Sequence, residues 1–472
     1  KIRLPVSCSQ FSIVLGRQKS VNIHLTIIPI FVDLLHFPYF GIVVYYVCKA
    51  PVSGKERMGN MKKIRIGVVG VGRGNSMMDY CAQSDNAELV AICDNWAEGL
   101  AAQKEKHKDE TITFYSDYEE FLQHDMDAVV LANFANEHAP FAIRAMRAGK
   151  HVFSEVLPVQ TMKEAVELVE AVEETGMIYA YGENYCYMPA PYEMRRLYRE
   201  GKLGELEYAE GEYIHNCEPG WACLTRGEET HWRNTMYSTF YCTHSFGPIR
   251  HITGLRPVSV IGFEGTQTAR NLRVGSKSGQ FGIEMVTLEN GAIVKSIHGG
   301  LYRNSIWYTL YGSKGRAESA REDTGLGDVS RIYVYADEFD GQYADIRAES
   351  YEPEQTKLEA AHAFGHGGSD YFTMNHFVRR LLGDETADII DVYEALDMFL
   401  PGLFAYRSIL AGGKPMAIPD LRDKAVRDAY RGDTACTDPD VAGEQLLPTS
   451  VRGTPKIEAD VYARMKRIWD ER

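Results

Sequence analysis

A short apolar, β-branched run from Ile64 to Val69 leads into Gly70-Val71-Gly72-Arg73-Gly74-Asn75 and then into a helix-forming segment. Strand, glycine turn and helix in that order leave few folds open, because the chain must reverse tightly and expose free amides at the helix start. Such amides, with the positive end of the helix dipole, suit a pyrophosphate. A second apolar run, Glu88 to Cys93, ends in Asp94, about twenty residues after the glycines, where a carboxylate accepts hydrogen bonds from ribose hydroxyls. The same charge repels a 2′-phosphate, so NAD is expected over NADP, with Arg73 as the nearby group that would offset the repulsion. Gly74 is followed by Asn75, which displaces the third glycine of G-x-G-x-x-G. Alone, such a turn would equally join two packed elements.

The following segments supply the context. Phe114 to Tyr118 precedes a helix, Asp127-Ala-Val-Val-Leu-Ala-Asn133 reads as a buried strand, and a helix from about Ala139 to Ala148 leads into Lys150-His151-Val152-Phe153. Strands alternating with helices predict a parallel sheet, and its carboxyl edge, where Asn133 and Glu155 would lie, is where open α/β sheets bind ligands.

The chain has 472 residues, 45% of them hydrophobic and 25% charged, and a formal net charge of −14. That balance gains nothing from phosphate neutralisation, so nucleic acid is excluded as a partner. Nine cysteines, an odd number without C-x-x-C or metal-finger spacing, fit a reducing, cytoplasmic setting; Cys186 and Cys242 fall in motifs that would line a pocket. The first sixty residues read differently. Asp33, His24, His36, Pro29 and Pro38 interrupt the apolar stretch Val21 to Cys48, leaving no run of the roughly 20 residues that cross a bilayer. The expectation is an over-extended reading frame with the start at Met61 or Met58, and no membrane partner. The expected domains are therefore 61–182, binding the dinucleotide, and 183–424, with residues 1–60 a non-native extension and 425–472 a peripheral tail.

Gly149 to Pro158 reads G-K-H-V-F-S-E-V-L-P. With the glycine turn and D-A-V-V-L-A-N through His138, it resembles the Gfo/Idh/MocA oxidoreductases, which carry Glu-Lys-Pro where this chain has Glu155-Val156-Leu157. The resemblance implies a nicotinamide near Asn133, Asn136, His138 and Glu155, with Gly70, Gly72, Arg73, Gly74, Asn75, Asp94 and Asn184 completing the cofactor site. It also implies that the lysine taken to assist proton transfer is missing. Glu183-Asn184-Tyr185-Cys186-Tyr187, Tyr241-Cys242-Thr243-His244-Ser245-Phe246-Gly247-Pro248 and His366-Gly367-Gly368-Ser369-Asp370 resemble the NAD-dependent glycoside hydrolases of family 109, which also show Glu-Val. The likeness runs from Met61 to about Lys424, through Asp391-Val-Tyr-Glu-Ala395 and Pro419-Asp420. Cys242 stands where proline is usual, Phe246 where leucine is usual, and Asn234-Thr-Met-Tyr-Ser departs from the family's lead-in, which leaves the sugar unspecified.

The chemistry so implied is glycoside cleavage by transient oxidation at C3, elimination across C1 and C2, water addition and re-reduction, which needs two proton-transfer groups beside a bound cofactor. His244 is the candidate for the oxidised hydroxyl, since imidazole titrates near neutrality. Tyr187 or Tyr241 would act at C2. Tyr241 and His244 are three residues apart, on one face if that segment is helical. Tyr185, Trp232, His366 and Asp370 are the expected substrate contacts. Trp221, Trp232 and Trp307 suit sugar stacking, although such residues more often fill cores. His362 and His366 have i, i+4 spacing without a third ligand, so no metal is expected.

After Tyr187, segments near Glu205–Ile214, Val258–Phe263, Gly282–Leu288, Ala292–His298, Ser305–Tyr311 and Ile332–Tyr335 read as strands with few helices between. The expected fold is thus α/β plus α+β: a Rossmann dinucleotide-binding domain, then a domain with a large, mainly antiparallel open sheet. Helices near Tyr371–Leu382 and Val392–Leu410 close it. By resemblance, the sheet's open face mediates a homodimer or homotetramer. Two alternatives to the glycosidase stay open: an ordinary sugar or polyol dehydrogenase with His244 in place of the lysine, and a non-catalytic NAD-binding sensor.

Overall fold

In a computed structural model of the chain, the described residues are 63–108, 110–321, 331–339, 344–354, 358, 361 and 364–472. The segment expected to be a non-native extension, and His362, lie outside them.

The first sheet has six parallel strands: β1 (Ile64–Val69), β2 (Ala87–Cys93), β3 (Thr113–Tyr115), β4 (Ala128–Leu131), β5 (His151–Ser154) and β6 (Tyr179–Tyr181), in the spatial order β3-β2-β1-β4-β5-β6. Their apolar runs are buried because helices cover both faces. The order reverses between β1 and β4, so the crevice beyond their carboxyl ends is the ligand edge.

The second sheet has nine strands: β7 (Leu206–Ile214), β8 (Pro257–Glu264), β9 (Phe281–Leu288), β10 (Ile293–Gly299), β11 (Ser305–Gly312), β12 (Gly315–Ser319), β13 (Ile332–Phe339), β14 (Ala344–Tyr351) and β15 (Met416–Ala417). All pairings are antiparallel except β7 with β10. In β9 and β10 buried and part-buried residues alternate, the pattern of a sheet packed on one face. The helices Thr243–Thr253 and Val392–Leu410 lie on that covered face.

Two close approaches fix the Thr243–Thr253 helix and the turn that leads into it. A Cβ on Gly211 of β7 would collide with the Ser245 carbonyl, and one on Gly402 with the Thr239 carbonyl. Backbone therefore rests on backbone at both points, and His244 in the first turn is set by main-chain contact.

On the other side of the first sheet, the helix Ser369–Leu381 packs Met374, Phe377 and Val378 against Ile66, Val130 and Phe153. Phe153 and Phe377 meet with ring centroids 5.7 Å apart. Burying such a side chain contributes roughly 1.5–3 kcal/mol, and the packing brings Asp370, in the first turn, to the ligand edge.

The residues after Lys424 are not peripheral, contrary to their charged composition. Arg427 is fully buried and pairs with Glu173. The helix Ala459–Asp470 buries Tyr462 and Met465, and residues at its end reach the cleft. Among the described residues, no helix is long and apolar enough to cross a membrane.

Candidate active site

A cleft of about 770 Å³ opens along the carboxyl edge of the first sheet and continues over the second. At its inner wall Gly70 has φ +96°, and a Cβ there would strike the Ala132 carbonyl; a Cβ on Gly74 would strike the Gly70 carbonyl. A Cβ on Gly72 would meet nothing within 4 Å. Two glycines therefore allow the turn to close on itself, and the middle one leaves room for a ligand. The following helix has no side-chain cap and no acidic residue in its first turn, so its amides are available to an anion. Asp94 accepts from the Val71 and Trp96 amides at 2.8 and 2.7 Å, holding the turn in shape at the adenosine end. Asn133 donates to Glu137 at 3.1 Å, and its Oδ1 is buried without a hydrogen-bond partner, an acceptor that a bound carboxamide would satisfy. These features fit a dinucleotide.

Several expected cofactor contacts do other work. Asn75 does not line the cleft; its Nδ2 donates to the Val71 and Gly72 carbonyls at 2.6 and 3.1 Å, tying the turn together, and Gly74 packs inside that turn. His138 faces away from the cleft. Its Nδ1 and Nε2 lie 2.8 and 3.3 Å from the Leu157 and Asn133 carbonyls, and burial lowers its pKa to about 4. Asn136 stands outside the lining as well. For Asn75 and His138 a backbone group needed a partner that the motif alone does not reveal.

Arg73 was expected to offset Asp94. Instead it points to the opposite end, where it forms a bidentate pair with Asp370 at 2.7 and 2.7 Å and an ion pair with Glu155 at 2.8 Å. Asp370 also accepts from Asn184 at 2.9 Å and meets His366 Nδ1 at 3.2 Å. Burial alone would raise the Asp370 carboxyl, but Arg73 and His366 hold it well below the usual range. Burial would lower His366, yet the bond to Asp370 raises it. Glu155 is pushed up by burial against the pull of Arg73. Arg73, paired with the residue before Val156, is thus bound to two carboxylates. Asp370 sits behind the cleft wall, while His366, Asn184, Glu155 and Val156 line it.

Across the cleft stands His244. Its Nδ1 lies 2.7 Å from Oε1 of Glu183, which is fully buried, and the ring lines the cleft. Tyr185 lies over the imidazole with centroids 4.3 Å apart, and Tyr213 meets it edge-on at 4.6 Å. A carboxylate on one nitrogen fixes the tautomer and directs the other nitrogen's lone pair outward. Tyr241 lies 5.7 Å from His244, centroid to centroid, and its hydroxyl accepts from Arg233 at 2.9 Å. Burial pushes this phenol up, with Arg233 opposing. Trp232 is parallel to Tyr241 within 18° and carries the Arg233 guanidinium 4.6 Å from its ring.

Tyr187 is not part of this group. Its hydroxyl donates to the Asp388 carbonyl at 2.6 Å, its ring packs between His251 and His376, and it does not reach the cleft. Cys186 and Cys242 are buried in the core behind the site, and Trp307 lies beneath Arg321 away from the cleft. Trp221 does line it, with its Nε1 donating to Asn234 at 3.0 Å. Among the described residues no cluster of His, Cys, Asp and Glu could hold a metal.

The sequence reading missed Glu183 as His244's partner, although both were in quoted motifs. It also missed Trp96, Arg226, Trp469 and Arg472, which line the other end. Tyr462, Met465 and Trp469 recur at helical spacing, a signal for a docked helix that the tail's charge obscured.

Residues 64–183 match the family model described as oxidoreductase family, NAD-binding Rossmann fold. Residues 265–426 match the one described as glycosyl hydrolase 109, C-terminal domain. A glycosyl hydrolase family 109 protein of Solibacter usitatus is 26% identical over 400 residues, covering 76% of this chain and 88% of that protein. An alpha-N-acetylgalactosaminidase of Shewanella oneidensis is 31% identical over 221 residues, 43% of this chain and 48% of that protein. The crystal structure of an NAD binding oxidoreductase from Klebsiella pneumoniae shares the fold, with TM-score 0.64 and 16% identity over 76% of this chain and 100% of that one. Residues 64–183 thus form the NAD-binding domain of the Gfo/Idh/MocA oxidoreductases, and residues 265–426 carry the carboxy-terminal domain of glycosyl hydrolase family 109.

Proposed function

We propose that this NAD-dependent, carbohydrate-acting enzyme cleaves glycosides by a redox-neutral cycle. The carrying observation is the His244–Glu183 dyad at 2.7 Å, opening on the cleft opposite a Val156 that replaces the lysine. The Gly70–Gly74 turn, Asp94 and Asn133 would hold NAD, which would supply a hydride acceptor at C3 and the means of re-reduction. His244 takes the C3 hydroxyl proton, and Glu183 stabilises the resulting imidazolium. With C3 a ketone, the C2 proton becomes acidic; its removal expels the C1 substituent, and water then adds at C1 as C2 is reprotonated. Tyr241 is the second proton-transfer group: in its phenolate form, which Arg233 stabilises against the burial that favours the phenol, it takes the C2 proton, and as the phenol so formed it gives a proton to C2 when water adds. Tyr185, Trp232 and His366 offer the sugar aromatic and polar contact.

The test is incubation of the NAD-loaded enzyme in deuterium oxide with aryl glycosides, the α-N-acetylgalactosaminide first. Aglycone release with deuterium at C2 and no net NADH is expected. Net NADH accumulation would instead make it a dehydrogenase, and tight NAD binding with neither activity a sensor.

Residues 61–182 and 183–424 are proposed as the functional domains. Self-association through the open face of the second sheet is proposed with them, to be checked by sedimentation. The seven free cysteines among the described residues support a cytoplasmic setting.

A further inference from the structure

The helix Ala459–Asp470 is docked by contacts to three separate segments of the chain. Tyr462 donates to the Gly275 carbonyl at 3.0 Å, and its ring occupies the space a Cβ on Gly275 would fill. Met465 joins Trp221 and Val274 in a small apolar cluster. Gly227 lies against the Lys466 backbone, where any side chain would collide, and Arg464 donates to the Arg273 carbonyl.

This seating carries Trp469 to Trp96, with ring centroids 5.9 Å apart and planes at 50°. Trp96 lies two residues after Asp94, at the adenosine end of the cleft. Arg226 spans the same wall, its guanidinium 4.7 Å from the Trp96 ring and 5.3 Å from Phe134. Trp469 and Arg472 both line the cleft. Two indoles, two guanidinium groups and an acidic ribose acceptor match a purine nucleoside carrying phosphates: aromatic faces for the base, cations for the charge.

We propose that the carboxy-terminal helix is a nucleotide clamp, in which Trp469 closes against the adenosine half of NAD and slows its release. The inference rests on the redox-neutral reading above, in which the hydride returns to the same sugar and the cofactor has no reason to leave. A dehydrogenase that exchanges its cofactor each turnover gains nothing from such a cover.

The experiment uses the full chain loaded with NAD and follows its displacement by excess ADP-ribose. Trp469→Ala should speed release about tenfold or more, and weaken equilibrium binding of ADP-ribose by the same factor, the size of one lost base–aromatic contact. Trp469→Phe should stay near wild type, and nicotinamide mononucleotide should bind both proteins equally. Thermal unfolding of the nucleotide-free proteins establishes that the variants are folded. Release from folded Trp469→Ala at the wild-type rate overturns the clamp, as does a change confined to the KM for glycoside. Trp469-dependent retention in a protein that cleaves no glycoside upholds the clamp and removes the redox-neutral reading instead.

Discussion

At one end of the cleft Arg73, Glu155, Asp370, Asn184 and His366 form a closed set of charge pairs. At the other, Trp96, Trp469, Phe134 and Arg226 offer aromatic faces and a cation over them. The first end positions groups rigidly, because buried charges tolerate little movement away from their partners. The second excludes water and adapts to a flat ring, and its guanidinium is held by π-systems rather than by carboxylates. The two ends of the cleft thus rest on different kinds of interaction, which can be broken separately.

The largest separation should come from His244→Ala. Loss of general acid–base catalysis lowers kcat about 10²–10⁴-fold, while NAD affinity measured by calorimetry stays put. A parallel loss of NAD affinity would show that His244 supports the cofactor rather than the sugar. Arg73→Met attacks the charged end through stability. It leaves Glu155 buried without its cation and Asp370 with only His366 and Asn184, with an expected loss of about 3–5 kcal/mol in denaturant unfolding; a change under about 1 kcal/mol would mean the cluster is effectively solvated.

The same cluster has a pH dependence with a defined sign. Asp370 is held below its ordinary value, so its stabilisation is present above about pH 3.9 and disappears as pH falls through the lower folded value. His366 is raised, so its contribution is complete below about pH 6.5 and fades as pH rises through its folded value. Glu155, pushed up by burial, costs stability as it ionises above its ordinary value. Asp370→Asn should therefore flatten the acid limb of Tm against pH, and His366→Gln the limb above neutrality.

Tyr187→Phe is the smaller contrast with Tyr241→Phe. Removing the bond to Asp388 should cost about 1 kcal/mol of stability with turnover within about twofold, whereas loss of the Tyr241 hydroxyl should lower kcat by about tenfold or more. Equal effects would return Tyr187 to the mechanism. Val156→Lys should change least: an added ammonium cannot free Arg73 from its carboxylates, and no net dehydrogenase activity should appear in NADH absorbance.

What could be read from sequence was local or repeated within a short window. The β1 turn, Asp94, the buried strands and the helix Val392–Leu410 follow from periodicity and glycine placement. Asn133, Glu155 and Asn184 were legible because strand ends and a short motif bring them to the cleft edge. Arg73 was misdirected because its partner Asp370 lies 297 residues away, and Tyr187 because its acceptor is a carbonyl 201 residues on. The β12 strand, the parallel β7–β10 pair and the docked last helix were unreadable for the same reason: each depends on a neighbour supplied by the fold. Trp96 and Trp469 gave no sign of each other, being far apart in a chain without repeats.

Gly211 holds the first turn of the Thr243–Thr253 helix by main-chain contact, and Gly402 the turn that leads into it. A catalytic residue supported by side chains drifts whenever those side chains are exchanged for others of different volume. One supported on peptide backbone keeps its coordinates through such exchanges, so side chains in the core around His244 can change volume while the imidazole stays put. The exposed point is narrow: one methyl group at residue 211 would displace the whole first turn.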